Sequence, residues 1–129
     1  MSVSLYRAMT WVCTPLIRRY LDRRLKSGKE DIMRFNERMG IASRPRPEGP
    51  LVWIHAASIG ESLSMTSLID RLIHEYPKIT ILMTSGTVSS AHLIIHRLPA
   101  TVIHQYIPVD RVPWVKRFLD FWHPDLVLW

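Results

Sequence analysis

One carboxylate, that of Glu61, follows a run of small residues at a place where a substrate could reach it. The run is Ala56-Ala57-Ser58-Ile59-Gly60, and an apolar segment typical of a buried strand precedes it. Glu61 would then lie in the first turn of the next helix, beside free backbone N–H groups. A carboxylate there can act as a general base toward a substrate hydroxyl. Alternatively, it is an acidic residue that the helix dipole favours, without a chemical role.

A second group of polar residues follows the next apolar segment. Ser85, Gly86 and Thr87 begin a loop that is rich in hydroxyls and backbone donors and that leads into a helix. Such a loop can bind phosphate or sugar oxygens. It lacks the lysine of a P-loop, so we do not expect nucleoside triphosphate binding. Ordinary capping by Ser and Thr is the alternative interpretation.

Metal and disulfide chemistry have little support in the sequence. Cys13 is the single cysteine, which excludes an internal disulfide and a cysteine cage for a metal. His92 and His96 stand four residues apart on a predicted helix, but no third ligand accompanies them. We therefore expect no metal site.

The positive charge of the chain is concentrated in its first part. The formal net charge is +6 at pH 7, and residues 1–50 carry 11 Lys and Arg against 5 Asp and Glu, whereas residues 51–129 carry 6 of each. This asymmetry favours a neutral folded body with a cationic front over a uniformly basic nucleic-acid binder. Anionic lipid headgroups, nucleic-acid phosphates and a phosphorylated ligand are each able to bind to such a front.

The elements before the first strand are predicted to be two short amphipathic helices, over residues 3–13 and 15–26, with Thr14 as the N-cap of the second. The first helix is apolar and contains Trp11, and the second is basic. Only 10 uncharged residues separate Arg7 from Arg18, too few to span a bilayer. An interfacial membrane anchor fits this pattern, and an amphipathic helix packed on the domain is the alternative. We assign residues 1–39 to this membrane-associating segment.

The Pro- and Gly-rich residues 40–50 are predicted to be a linker, and the pattern changes after them. Apolar runs typical of buried strands then alternate with helices of 3.6-residue periodicity. This alternation predicts a Rossmann-like α/β domain over residues 51–129, with a parallel sheet and flanking helices. The expected strands are 51–56, 79–84, 101–106 and 126–129.

The helices between these strands are predicted from their apolar spacing and their capping residues. The first runs from Glu61 to Tyr76, and the second starts at Ser89 or Ser90 and continues to Leu98. Asp110 is expected to cap the third, whose inner stripe would contain Val115, Phe118, Leu119 and Trp122. The sequence stops in the fourth strand, so we expect a truncated domain.

Six ordered motifs resemble the amino-terminal domain of the 3-deoxy-D-manno-octulosonic acid (Kdo) transferases. They cover nearly the whole chain and lie at residues 24–30, 37–40, 53–61, 84–91, 104–110 and 118–124. The resemblance implies two Rossmann-like domains in the GT-B arrangement, of which this chain would be the acceptor-binding half. It implies inverting transfer of Kdo from CMP-Kdo to a lipid A precursor at the cytoplasmic face of the inner membrane. The donor domain would be absent, so the chain alone is expected to be inactive.

By the resemblance, Glu61 is the general base, and neither a metal nor a cofactor is required. We assign two further sets of residues under this hypothesis. The acceptor-binding residues would be Ser58, Gly60, Ser85, Gly86, Thr87, Lys29 and Arg24. Arg18, Arg19 and Arg23 would contact lipid phosphates or anionic headgroups. A non-catalytic, membrane-associated binding module or a remnant of the enzyme is the alternative function, and we expect no nucleic-acid partner.

Overall fold

A four-stranded parallel sheet forms the centre of the computed structural model, which describes residues 3–129. The strand order is β3-β2-β1-β4, so β1 pairs with β2 on one side and with β4 on the other. The strands are β1 Leu51–Ala56, β2 Thr80–Ser85, β3 Ile103–Tyr106 and β4 Leu126–Leu128. The α/β class and the parallel pairing predicted from the sequence are confirmed.

Five α-helices and one short 3₁₀ helix accompany the sheet within residues 3–129. The α-helices are α1 Val3–Val12, α2 Thr14–Lys26, α3 Ile59–Glu75, α4 Val88–Ile95 and α5 Val112–Trp122, and the 3₁₀ helix is Phe35–Met39. Of the helices in this described range, none combines the length and the apolar character that crossing a membrane would need.

The alternation of side chains along β1 divides the core into two layers. Val52, Ile54 and Ala56 point to one face, where they pack with Ile69 of α3 and Ile94 of α4. Leu51 and Trp53 point to the other face, where Phe118 and Trp122 of α5 cover them. Because both faces are covered, every residue of β1 except the half-buried His55 is buried, in agreement with the apolar run in the sequence.

Four predicted helix starts differ from the structure by one to three residues. The helix expected from Glu61 begins two residues earlier, at Ile59. Cys13, not Thr14, occupies the N-cap of α2, and the Thr14 hydroxyl donates to the Trp11 carbonyl at 2.7 Å. Thr87 caps α4, which begins earlier than Ser89 and ends before Leu98. Arg111 occupies the N-cap of α5 without a side-chain hydrogen bond, and Asp110, the expected cap, accepts a hydrogen bond from Tyr6.

The buried stripe of α5 is shifted relative to the predicted one. Trp114, Phe118 and Trp122 are buried, whereas Leu119 is 38% exposed. Phe118 and Trp122 were correctly assigned to the core. The backbone of Gly40 packs against the backbone of this helix at Trp114 and Phe118.

The 3₁₀ helix Phe35–Met39 packs against β3 and α5, although we assigned it to the membrane-associating segment. Glu37 is 1% exposed and Arg38 8% exposed, and both reach backbone groups at the carboxyl ends of the strands. Gly40 ends the 3₁₀ helix with φ of 74°, and a Cβ there would lie 2.0 Å from the Trp114 carbonyl oxygen. The structural boundary between the amino-terminal helices and the domain therefore lies before Glu30.

Candidate functional site

The carboxyl end of β1 is the point where the strand order reverses, since β2 pairs with one side of β1 and β4 with the other. In open parallel sheets, ligands bind in the crevice at such a reversal. We call this region, formed by the ends of β1 and β4 and by residues 57–61, the carboxyl rim. It is the position in this fold where a catalytic residue would be expected.

Glu61 lies at the carboxyl rim with its side chain at the protein surface. Its carboxylate Oε2 accepts a hydrogen bond from the backbone N–H of Ala57 at 2.9 Å. Within residues 3–129, Oε1 accepts no hydrogen bond and no cation pairs with Glu61. One carboxylate oxygen thus holds the start of α3, and the other is open to a substrate.

Ser58 and Gly60 form the turn that places Glu61. The Ser58 hydroxyl oxygen caps α3 by accepting the Glu61 N–H at 3.2 Å. With the contact of Glu61 to Ala57, this makes a reciprocal cap of the capping-box type. The φ of Gly60 is not positive, so its backbone conformation does not require glycine. A Cβ at this position would meet no atom within 4 Å. The surface beside Glu61 is therefore open to a ligand.

Three of the residues assigned to acceptor binding lie at the end of β2 and in the loop after it. One of them is buried and two are accessible. Ser85 is fully buried, and its Oγ lies 2.8 Å from His104 Nε2, so its hydroxyl faces the interior. Gly86 presents its carbonyl oxygen to Arg38 at 2.8 Å. Thr87 is exposed and caps α4 through the Ser90 N–H at 3.1 Å. Thr87 and the backbone of Gly86 are thus the parts of this loop that a ligand can reach.

The basic residues assigned to phosphate contacts fall into two groups. Arg24 is held by an ion pair with Glu30 at 2.6 Å and donates to the Lys29 carbonyl at 3.4 Å. The other four side chains are exposed and take part in no ion pair among residues 3–129: Arg18, Arg19, Arg23 and Lys29. Arg24 therefore organises this surface, and the other four are free to bind an anion.

A buried ionic cluster behind the loop after β2 was missed by the sequence analysis. Arg38 donates to the Glu30 carboxylate at 2.9 and 3.2 Å, and also to the carbonyls of Gly86 and Ile107. Burial acts to raise the pKa of Glu30, but hydrogen bonds from Arg38 and Arg24 outweigh it, and that pKa is lowered. The motifs at 24–30 and 37–40 contain the residues of this cluster, but spacing alone does not reveal which charges become buried.

His55 at the end of β1 was not recognised as a site residue either. Its Nδ1 lies 2.9 Å from the Thr84 hydroxyl, which also accepts the indole N–H of Trp53 at 2.9 Å. The ring of Trp129 contacts the imidazole with centroids 4.5 Å apart. Burial lowers the pKa of His55, while a hydrogen bond to the Thr84 backbone and the nearby Glu61 carboxylate oppose that shift. A neutral imidazole therefore lies beside Glu61.

Two hydrogen bonds connect the amino-terminal helices to the loop between β3 and α5. The Tyr6 hydroxyl donates to Asp110 Oδ2 at 2.6 Å, and Arg111 Nε donates to the Thr14 hydroxyl at 3.0 Å. No residue of α1 is buried, and Leu21 is the one buried residue of α2. These helices thus touch the domain through few contacts and leave most of their apolar side chains exposed.

The fold and the carboxyl rim define a Rossmann-like α/β domain, with an accessible carboxylate at the reversal of its strand order. A family model described as 3-deoxy-D-manno-octulosonic-acid transferase (kdotransferase) matches residues 33–129. The chain therefore belongs to the Kdo transferase family, and it corresponds to the amino-terminal domain of that family.

Curated relatives agree with this assignment. The chain is 38% identical over 122 residues to a 3-deoxy-D-manno-octulosonic acid transferase of Rickettsia bellii, covering 95% of this chain and 29% of the relative. It is 39% identical over 124 residues to a probable mitochondrial one of Arabidopsis thaliana, covering 96% of this chain and 28% of the relative. No solved structure matches the chain. The chain thus spans less than a third of the length of these relatives.

Proposed function

We propose that this chain is the acceptor-binding part of an inverting glycosyltransferase, which transfers Kdo from CMP-Kdo to a lipid A precursor. The observation that carries the proposal is the open Oε1 of Glu61 at the carboxyl rim. Membership of the Kdo transferase family supports the sugar that is transferred.

In the proposed reaction, Glu61 is the general base. An acceptor hydroxyl is a weak nucleophile, and Glu61 Oε1 takes its proton as the oxygen attacks the anomeric carbon of Kdo. The new C–O bond forms as the bond to the CMP phosphate oxygen breaks, and CMP leaves with that electron pair. Attack opposite the leaving group inverts the anomeric centre. Groups outside these residues, in a second domain of a GT-B enzyme, would bind CMP-Kdo and stabilise the leaving phosphate.

The acceptor would lie across the two loops that end β1 and β2. Ser58 and Gly60 border Glu61 on the first loop, and Thr87 with the backbone of Gly86 lies on the second. Since β1 and β2 are paired in register through Ala56 and Ser85, the two loops are adjacent. A sugar bound there can reach both loops.

In the same proposal, the amino-terminal helices bind to the membrane that contains the lipid acceptor. Trp11 is 72% exposed and Leu16 68% exposed, and both lie on helices that also carry the free cations. Apolar side chains insert at a membrane interface while Lys and Arg bind anionic headgroups or lipid phosphates. The cytoplasmic face of the inner membrane is the location that we propose, and the exposed apolar side chains beside free cations support association with a membrane surface.

The experiment is a transfer assay with the full protein that the gene encodes. The purified protein is incubated with CMP-Kdo and a lipid A precursor, and mass spectrometry measures Kdo addition to the lipid. NMR of the product then gives the anomeric configuration. Addition of Kdo with inversion supports the proposal. Precursor binding without any transfer would overturn it in favour of a non-catalytic binding module.

A further inference from the structure

The guanidinium of Arg38 connects three segments of the chain, and all of its nitrogens donate hydrogen bonds. Nε and Nη2 donate to the Glu30 carboxylate at 2.9 and 3.2 Å. Nη1 donates to the Ile107 carbonyl at 3.0 Å, after β3, and Nη2 also donates to the Gly86 carbonyl at 2.8 Å, after β2. The side chains of Arg38 and Glu30 are 10% and 2% exposed. Arg38 therefore joins the loops that follow β2 and β3 from inside the protein.

The surroundings of Arg38 fix the position from which its side chain reaches these loops. The Arg38 carbonyl accepts the Val109 N–H at 2.9 Å, which ties its backbone to the loop after β3. Its partner Glu30 is held in turn by Arg24 at 2.6 Å. The guanidinium is thus held at both ends, and the Gly86 carbonyl has a donor of fixed position.

This hydrogen bond sets the orientation of the peptide group that joins Gly86 to Thr87. The peptide bond is trans, so its C=O and N–H point in opposite directions. Because the Gly86 carbonyl points to the buried Arg38, the Thr87 N–H points away from it. Thr87 is exposed, and its side chain caps α4. The loop therefore presents a hydrogen-bond donor on the side opposite Arg38.

We propose that Arg38 is a positioning residue for the acceptor: by holding the Gly86 carbonyl, it aims the Thr87 N–H at an oxygen of the bound acceptor sugar. β1 and β2 are paired in register up to their carboxyl ends, so this loop lies beside the one that carries Glu61. Arg38 is buried and acts on binding of the acceptor, not on proton removal by Glu61. The inference rests on the proposed function for the identity of the acceptor.

A double substitution separates this role from the contribution of Arg38 to stability. Arg38→Met alone would leave a buried carboxylate with one cation fewer, whereas Glu30→Met combined with Arg38→Met removes both charges and should restore much of the stability. The double variant still lacks the donor to Gly86. We expect its KM for the lipid A precursor to rise about tenfold, as for one lost hydrogen bond, with kcat within about threefold of the wild-type value.

Arg38→Lys tests the same role while the buried charge pair is kept. Lysine donates from one nitrogen and cannot span Glu30 and the Gly86 carbonyl as the guanidinium does, so we expect a similar rise in KM. Arg71→Met with Glu75→Met removes an exposed pair on α3 and should leave both constants unchanged. A purely structural role would lower the amount of folded enzyme, and hence the apparent kcat, without changing KM. A wild-type KM in Arg38→Lys or in the double variant would overturn the proposal.

Hydrogen exchange measured by mass spectrometry on the full protein tests the positioning without the reaction. The amides of Ser90 and Ala91 donate to Thr87 in the first turn of α4. Loss of the Arg38 contact should free them, so residues 84–95 should exchange faster in Arg38→Lys than in the wild-type protein, while β1 exchanges equally in both. Equal exchange of residues 84–95 would overturn the inference even if the enzyme is active. An absence of Kdo transfer by the wild-type protein would instead contradict the proposed function, and the exchange rates would still decide whether Arg38 holds the loop.

Discussion

The carboxylate of Glu37 accepts the backbone N–H of Tyr106 at 2.7 Å, on the outer side of the edge strand β3. Arg34 donates to the His104 carbonyl of the same strand at 2.7 Å. Together these two side chains occupy backbone groups that an additional strand would otherwise use. Unpaired edge groups promote association between sheets, so the residues before the linker protect this edge. The segment around the 3₁₀ helix is thus part of the domain.

Arg38 is expected to contribute far more to stability than an exposed arginine does. Its side chain is 10% exposed, and Arg38→Met would leave Glu30 buried with one fewer cation and two carbonyls without their donor. We expect a loss of about 3–5 kcal/mol in the free energy of unfolding, measured by urea denaturation. Arg71→Met is the control, because the Arg71 side chain is 76% exposed in its pair with Glu75 and should matter by less than about 1 kcal/mol. Similar losses in both variants would contradict the buried cluster's role.

Glu61→Gln is expected to lower the turnover of Kdo transfer by a factor of about 100 or more. The amide oxygen can still accept the Ala57 N–H, so the cap of α3 and the affinity for the acceptor should change little. Steady-state kinetics with the lipid acceptor measure both quantities. Asp70→Asn removes an exposed carboxylate from the same helix and should leave turnover unchanged. Near-normal turnover in Glu61→Gln would remove the base assignment.

Gly40→Ala is expected to destabilise the domain strongly. The new Cβ would lie 2.0 Å from the Trp114 carbonyl oxygen, and the backbone has φ of 74°. Gly28→Ala is a matched control, since Gly28 has φ of 71° but no atom within 4 Å of the new Cβ. The control should lose about 1–2 kcal/mol from its backbone conformation alone. Thermal or urea unfolding of the two variants compares these costs, and a smaller loss in Gly40→Ala would show that α5 moves away readily.

His104 should make the protein less stable as the pH falls below neutrality. Burial, followed by the Arg34 guanidinium, lowers the pKa of His104 from 6.5 to about 3. Below about pH 6.5 the unfolded chain binds a proton that the folded chain does not. The stability from this group is therefore complete above that pH and is lost between about pH 6.5 and 3, by at most about 1.4 kcal/mol per pH unit.

Urea unfolding from pH 7.5 to 4.5 checks this dependence on His104. The His104→Gln variant should lose less stability over that range than the wild-type protein. His74→Gln, at an exposed position on α3, should follow the wild-type profile. If all three proteins lost stability in parallel, the burial of a neutral His104 would be contradicted.

Membrane association is expected to depend on the exposed apolar residues of the first two helices. The double substitution Trp11→Glu and Leu16→Glu should reduce sedimentation with vesicles containing phosphatidylglycerol by about tenfold or more. Tyr76→Glu is the control, because Tyr76 is 57% exposed but lies at the end of α3. Unchanged sedimentation of the double variant would show that these helices do not bind the membrane.

Much of the fold followed from local patterns in the sequence. The apolar run at Leu51–Ala56 and the helical spacing from Glu61 to Tyr76 predicted their elements, because burial and periodicity are properties of neighbouring residues. The position of Glu61 in a first helical turn at the end of a strand followed in the same way. Helix starts were less accurate, since Thr87, Ser89 and Ser90 are all suitable caps and small energy differences select among them.

Only the tertiary structure decided which polar residues are buried and which are free. Ser85 and Arg24 are residue types that bind ligands, but the buried Ser85 contacts His104 and the partly exposed Arg24 pairs with Glu30. These pairings join residues from separate strands or from either side of a turn, and no local periodicity encodes them. The sequence by itself therefore determined the strands, the helices and the carboxylate at the rim. The packing of the 3₁₀ segment on the sheet decided which other side chains remain available to a substrate.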